Sequence, residues 1–221
     1  MKRIEGRNIM KTEDRSMFHR YLAPVGDLRF PQKINIHFPL RGRLHEFALS
    51  VNREILKIVP TEIDFSPASF QIPHVTVYMG FVKNLQDLQR LMRVTQEFSR
   101  NVCPMTVTVT NPYLKEPRRN WIFVDIVESK EFINLKLQFK ELANTYLEPL
   151  VWDVVAEPPH ITVGYIKTNL DTVEKELKKI SVDDSFVLDA IELSFGGLRG
   201  SCLGSIRTFE LSQRLLVGRL K

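Results

Sequence analysis

Apolar and polar residues alternate from Ile34 to Phe38, with Asn35 and His37 between the apolar positions, and the run stops at Pro39. That period of two predicts a strand with one buried face. From Leu44 to Val59 the period changes, and Leu44, Phe47, Ala48, Val51, Ile55 and Ile58 fall at helical spacing. One face of a packed helix follows from this. Residues 70 to 80 then read as a strand, and Leu85, Leu88, Leu91 and Met92 mark a second helix with Asn84 as its N-cap. The β-branched run from Met105 to Thr110 predicts a further strand.

After a basic loop at 113 to 120 the same order returns. Residues 121 to 127 form a strand, 132 to 147 a helix, 158 to 166 a strand, and 170 to 180 a helix. Ser185 to Phe195 completes the unit as one long strand, with Ile206 to Leu211 a candidate to pair beside it. The repetition is in register. His74 and His160 lie 86 positions apart, and at that offset Pro73, Val75, Thr76 and Val77 map onto Pro159, Ile161, Thr162 and Val163. One residue of shift then maps Asn84, Leu85, Leu88 and Met92 onto Asn169, Leu170, Val173 and Leu177. Two copies of a strand-helix-strand-helix-strand unit predict an α+β protein of two related lobes, each an antiparallel sheet backed by helices.

Residues 1–32 lack a sustained period and read as a basic arm, 33–211 as the bilobal unit with its lobes interleaved, and 212–221 as a basic tail. Charge sharpens that division. Residues 1 to 33 hold eight Lys/Arg against four Asp/Glu, and residues 196 to 221 hold five against one, within a chain whose formal charge is +5. The basicity belongs to the two ends, where it would gather a polyanion. No apolar run approaches the roughly 20 residues of a membrane span, and the polar N-terminus does not resemble a secretory signal. The expectation is a cytoplasmic monomer with no membrane partner. Cys103 and Cys202 have no CxxC spacing, which predicts reduced structural thiols rather than a disulfide or zinc site.

Chemistry enters with the element that is repeated, His-x-Thr-x with apolar residues at x. Alternation in a strand puts His74, Thr76 and Tyr78 on one face, and Val75, Val77 and Met79 on the other. His160 and Thr162 separate likewise from Ile161, Val163 and Tyr165. Lobes packed about a pseudo-twofold would bring two imidazoles and two hydroxyls to one cleft. A phosphodiester reaction needs one proton removed and one delivered, and two imidazoles divide those tasks near neutral pH without a metal or cofactor. The threonines are candidate donors to non-bridging phosphate oxygens. A P-loop, His-Glu-x-x-His and Gly-x-Ser-x-Gly are all missing from the sequence.

The paired stretches Pro73-His74-Val75-Thr76-Val77 and Pro159-His160-Ile161-Thr162-Val163 resemble the two motifs of the 2H phosphoesterase superfamily. The resemblance spans about residues 33 to 211. It implies a bilobal fold with both motifs lining a central groove, metal-free catalysis by His74 and His160, and RNA or oligonucleotide substrates carrying 2′,3′-cyclic phosphates or 2′,5′ linkages. Reverse ligation is implied in principle. Hydrolysis of a cyclic oligonucleotide signal and a non-catalytic RNA-binding groove are the alternatives.

Tyr78 continues the His74 face as a candidate base or phosphate contact, and its counterpart Gly164 predicts an asymmetric cleft with more room on that side. Trp121 and Phe123 are candidates for a stacking wall or for core. Lys115, Arg118 and Arg119 in the basic loop, and Arg199 in a glycine-rich turn, are candidate phosphate contacts. His37 is a candidate to line the groove, whereas His19 and His45 look incidental.

Overall fold

The computed structural model describes residues 29–212, apart from 67, 70, 128–129, 151–155 and 183. The body of the predicted arm, including His19, and the tail from 213 onward lie outside the described residues.

The alternating run becomes β1 (Gln32–Pro39), with Ile34, Ile36 and Phe38 fully buried. The first amphipathic helix is α1 (Gly42–Ile58), which buries Leu44, Ala48, Val51 and Ile55. Then come β2 (Gln71–Ile72), β3 (His74–Val82), α2 (Leu85–Ser99) and β4 (Met105–Thr108). Asn84 caps α2 as expected, accepting from the Asp87 backbone N–H at 2.9 Å. The second copy contains β5 (Tyr113–Leu114), β6 (Trp121–Asp125), α3 (Lys130–Ala143), β7 (Glu148–Pro149), β8 (His160–Tyr165) and α4 (Leu170–Leu177). Asn169, the counterpart of Asn84, is left-handed at φ 60° and makes no capping bond. The chain ends with β9 (Ser185–Leu188), β10 (Ala190–Gly196), a 3-10 turn (Leu198–Gly200) and β11 (Cys202–Glu210).

The strand expected from Ser185 to Phe195 is two strands. β9 pairs with β4 in a separate ribbon, while β10 pairs with β1 in the main sheet. They divide at Asp189, whose carbonyl accepts from Leu211 N–H at 2.7 Å and whose carboxylate holds Arg41. Those contacts take the backbone out of one ladder and into the other.

The main antiparallel sheet runs β2-β11-β10-β1-β3-β8-β6-β5, with β7 against β3. The two lobes meet at its centre, where β3 and β8 pair at Val75 and Ile161. Each lobe's helix covers the other lobe's motif strand. Asn52 of α1 donates to the Val163 carbonyl of β8 at 2.8 Å, and Ile55 packs beneath Gly164. Phe132 of α3 meets Phe38 at 5.5 Å between ring centroids, and Asn144, just after α3, bonds Tyr78 of β3. The exchange buries one continuous apolar layer on the helix side and leaves the opposite face of the motif strands for polar side chains. Among the described residues, no helix is long and apolar enough to cross a membrane.

Candidate active site

Each catalytic candidate begins a strand directly after a proline. Proline keeps the preceding residue extended, which aims that residue's carbonyl back along the new strand. His74 Nδ1 donates to the Ile72 carbonyl at 2.7 Å, and His160 Nδ1 donates to the Pro158 carbonyl at 2.8 Å. Both rings are thereby oriented the same way. With Nδ1 committed to a carbonyl, Nε2 is the ring nitrogen that remains for other partners.

The pairing of Val75 with Ile161 sets the rest by antiparallel register. Thr76 lies beside His160 and His74 beside Thr162, so the histidines are diagonal neighbours on one face, roughly 7 to 8 Å apart at Cα. His74, Thr76, His160 and Thr162 are all half-buried, whereas Val75, Val77, Ile161 and Val163 are fully buried on the other face. Burial lowers the pKa of His160, partly offset by the Pro158 carbonyl and Asp125. Among the described residues the Thr76 and Thr162 hydroxyls make no hydrogen bond, and both residues share the half-buried face of the two histidines. Thr76→Val or Thr162→Val is expected to lower kcat by about 10- to 100-fold while leaving the melting temperature nearly unchanged, which steady-state kinetics and thermal melts would check.

The alternation expected beyond Thr76 does not hold. His37 pairs with Thr76 and Ile36 with Tyr78, so Val77 is an extra residue, a β-bulge. Past the bulge the faces exchange. Tyr78 turns into the core, 3 % exposed, with its hydroxyl on Asn144, and it is not a groove residue. The same bulge recurs at Val163, because Phe123 pairs with Thr162 and Ile122 with Gly164. Gly164 therefore faces α1 rather than the cleft. A Cβ there would meet Ile122 Cδ1 at 2.9 Å, so the glycine admits the helix and makes no extra room for substrate. Met79 and Tyr165, expected in the core, are on the groove side by the same shift.

Tyr165 joins an aromatic wall. Its ring is 4.6 Å from Trp121, and Phe123 stacks on His160 at 3.9 Å with 17° between planes. Arg199 sits over Tyr165 at 4.0 Å and also pairs with Glu62 at 2.9 Å. It therefore lies against the aromatic wall. Arg119 does not, since Glu174 and Asp171 of α4 hold its guanidinium. Arg118 is exposed on the same turn, and no contact among the described residues ties it to the groove.

His37 does not line an open groove. It is fully buried beneath His74, with 4.9 Å between the ring centroids. Its Nε2 lies 3.3 Å from Glu192 Oε1, an ion-pair distance without hydrogen-bond alignment, and its Nδ1 lies 3.5 Å from Cys202 Sγ. Burial alone would lower the His37 pKa, but Cys202 and Glu192 pull it up to about 10. Burial likewise opposes ionisation of Cys202, yet His37 and His74 bring its thiol down to about 6. Glu192 also accepts from Thr208 and stays below the usual carboxylate range despite its burial. Asn35 completes this layer, donating to His74 Nε2 at 3.2 Å and to the Gly200 carbonyl at 3.0 Å. Sequence reasoning missed Asn35, Glu192 and Cys202 as neighbours of the site. The signal for Asn35 was present, since it shares the strand face of His37.

Among solved structures, a protein of Thermus thermophilus superposes with a TM-score of 0.58 at 14 % identity, over 82 % of this chain and 100 % of its own. Escherichia coli LigT complexed with 3′-AMP gives 0.55 at 14 % identity, over 83 % of this chain and 99 % of LigT. A further structure described as a phosphoesterase gives 0.52 at 13 % identity, over 83 % of this chain and all of its own. The chain has the 2H phosphoesterase fold. No protein-family model and no curated protein matches the sequence. Identities this low speak for the 2H phosphoesterase architecture, and the chemistry is argued from the side chains that this chain itself places in the groove.

Proposed function

We propose that the protein is a metal-independent phosphodiesterase that opens 2′,3′-cyclic phosphates or breaks 2′,5′ linkages in RNA or oligonucleotides, with ligation as the reverse reaction. The observation that carries this reading is the pair of prolyl-histidine strand starts on the adjacent strands β3 and β8, with both Nδ1 atoms tied to backbone carbonyls and both rings on the same half-buried face. One Nε2 takes the proton of the attacking oxygen, and the other gives a proton to the oxygen that leaves. Thr76 and Thr162 stabilise the charge that develops on the non-bridging oxygens. The wall of Trp121, Phe123 and Tyr165 offers aromatic faces on which a nucleobase stacks, beside Arg199 for a phosphate.

Two acid-base groups without a covalent nucleophile need help from the substrate. A ribose hydroxyl or a strained cyclic phosphate supplies it. A panel of 2′,3′-cyclic, 2′,5′-linked and 3′,5′-linked ribonucleotides, with an all-deoxy 3′,5′ oligonucleotide as control, tests the reading. Turnover of the first two classes in EDTA, with a bell-shaped pH profile and inert DNA, is the expected result. Equal cleavage of DNA, or activity lost in EDTA and restored by a divalent ion, would overturn it.

A further inference from the structure

The two histidines are not equivalent. Nε2 of His74 faces the Asn35 amide nitrogen at 3.2 Å, whereas Nε2 of His160 has no protein partner among the described residues. The orientation of the Asn35 amide decides what this means. Its Nδ2 also lies 3.0 Å from the Gly200 carbonyl, which can only accept. Turning the amide over would set two carbonyl oxygens against each other, so Nδ2 must face both Gly200 and His74. Asn35 is fully buried, and its Oδ1 has no partner among the described residues, so no competing contact draws the amide the other way. An N–H that points at Nε2 requires a lone pair there. Nδ1 of His74 already donates to Ile72, and the proton of the neutral ring is therefore on Nδ1.

We propose that Asn35 is a positioning residue that presents His74 as the base, leaving His160 to act as the acid. The proposal rests on the phosphodiesterase reading for its chemistry, but the Asn35 contact is independent of substrate. The attacking hydroxyl displaces the longer of the two Asn35 bonds and keeps the one to Gly200. Its proton passes to His74 Nε2, and the released Asn35 N–H donates to the attacking oxygen, turning a lone pair of that oxygen toward phosphorus. As the new P–O bond forms, the bond from phosphorus to the leaving oxygen breaks. The electron pair stays with that oxygen, which takes the proton from Nε2–H of the His160 imidazolium, the charged form that burial disfavours and that the Pro158 carbonyl and Asp125 favour. Nothing is oxidised or reduced, and the two rings exchange their protons with solvent afterwards. Charge around His74 comes from His37 on β1, Cys202 on β11 and His160 on β8, so each is kept intact in the Asn35 variants below.

Two measurements separate this from a structural role. Nitrogen-15 NMR of the free protein should show the neutral His74 ring protonated at Nδ1 and bare at Nε2. In N35D, where a carboxylate replaces the donor, Nε2 should carry a proton at pH 7. The second measurement uses uridine 2′-(4-nitrophenyl phosphate), the aryl analogue of a 2′,5′ linkage, whose leaving group departs without a proton. H160A should retain this substrate's turnover to within about tenfold, whereas H74A should lose it by at least about 100-fold. N35A, whose melting temperature reports whether it folds, should lower kcat by at least about tenfold with KM within about threefold. A wild-type His74 protonated at Nε2, an N35A kcat within twofold of wild type, or H74A spared in place of H160A would each overturn the assignment. A wild type that turns over no ribonucleotide, yet shows the expected His74 spectrum, would sink the phosphodiesterase reading while supporting the Asn35 geometry.

Discussion

His74→Ala and His160→Ala should each lower kcat on the favoured ribonucleotide by about 10³-fold or more while leaving the fold intact. Each imidazole carries one of the two proton transfers, and a positioned acid or base contributes about 10² to 10⁴ in rate. Fold should survive because both rings are only half-buried at the groove face and hang from backbone carbonyls, so removal opens space toward solvent and leaves no cavity in the apolar layer. The double variant should be little slower than the worse single one, since the two groups act on one transition state as a unit. Rates of the three variants beside their melting curves check this. A single variant that keeps more than about a tenth of the wild-type rate would remove that histidine from the chemistry.

The second large effect concerns stability. Glu192→Gln should destabilise the fold by about 3 to 5 kcal/mol, because it strips the buried His37 of its carboxylate partner in a layer that water does not reach. For a chain of this size that corresponds to a melting temperature lower by roughly 6 to 20 °C. The pH dependence has a definite sign. His37 titrates at about 10 in the folded protein, above its ordinary 6.5, so its contribution is complete below about pH 6.5 and is lost as pH rises toward 10. Glu192 is held below its ordinary 4.5, so its contribution is present above about pH 4.5 and is lost as acid protonates it in the fold. The gap between wild type and variant should therefore be widest from about pH 4.5 to 6.5 and should narrow toward pH 10. Melts over that range that differ by less than about 2 °C would mean that His37 draws nothing from Glu192, either because it is buried neutral or because Cys202 alone holds its charge.

Much of this was legible in the amino-acid order. The change of period from two to 3.6 located the main strands and helices, and a local repeat at 86 positions identified Pro-His-x-Thr as the shared element. Those signals are local, because strand alternation and helical spacing are properties of neighbouring residues. Face assignment past Thr76 was not legible, because a β-bulge is defined by two strands. The extra residue at Val77 exists only relative to β1, and the one at Val163 only relative to β6, so Tyr78 and Gly164 could be placed only once the partners were known. Division of the last long strand at Asp189 depended in the same way on contacts with Leu211 and Arg41.

The layer beneath His74 required tertiary structure most of all. Asn35 and His37 belong to β1, Glu192 to β10, and Cys202 to β11, separated by about 160 positions of chain, and no periodicity links them. The motif residues are determined by sequence because each brings its own orienting carbonyl two positions upstream. The difference between the two histidines is decided by the fold, because the amide that distinguishes His74 reaches it from another strand and is held there by the Gly200 carbonyl.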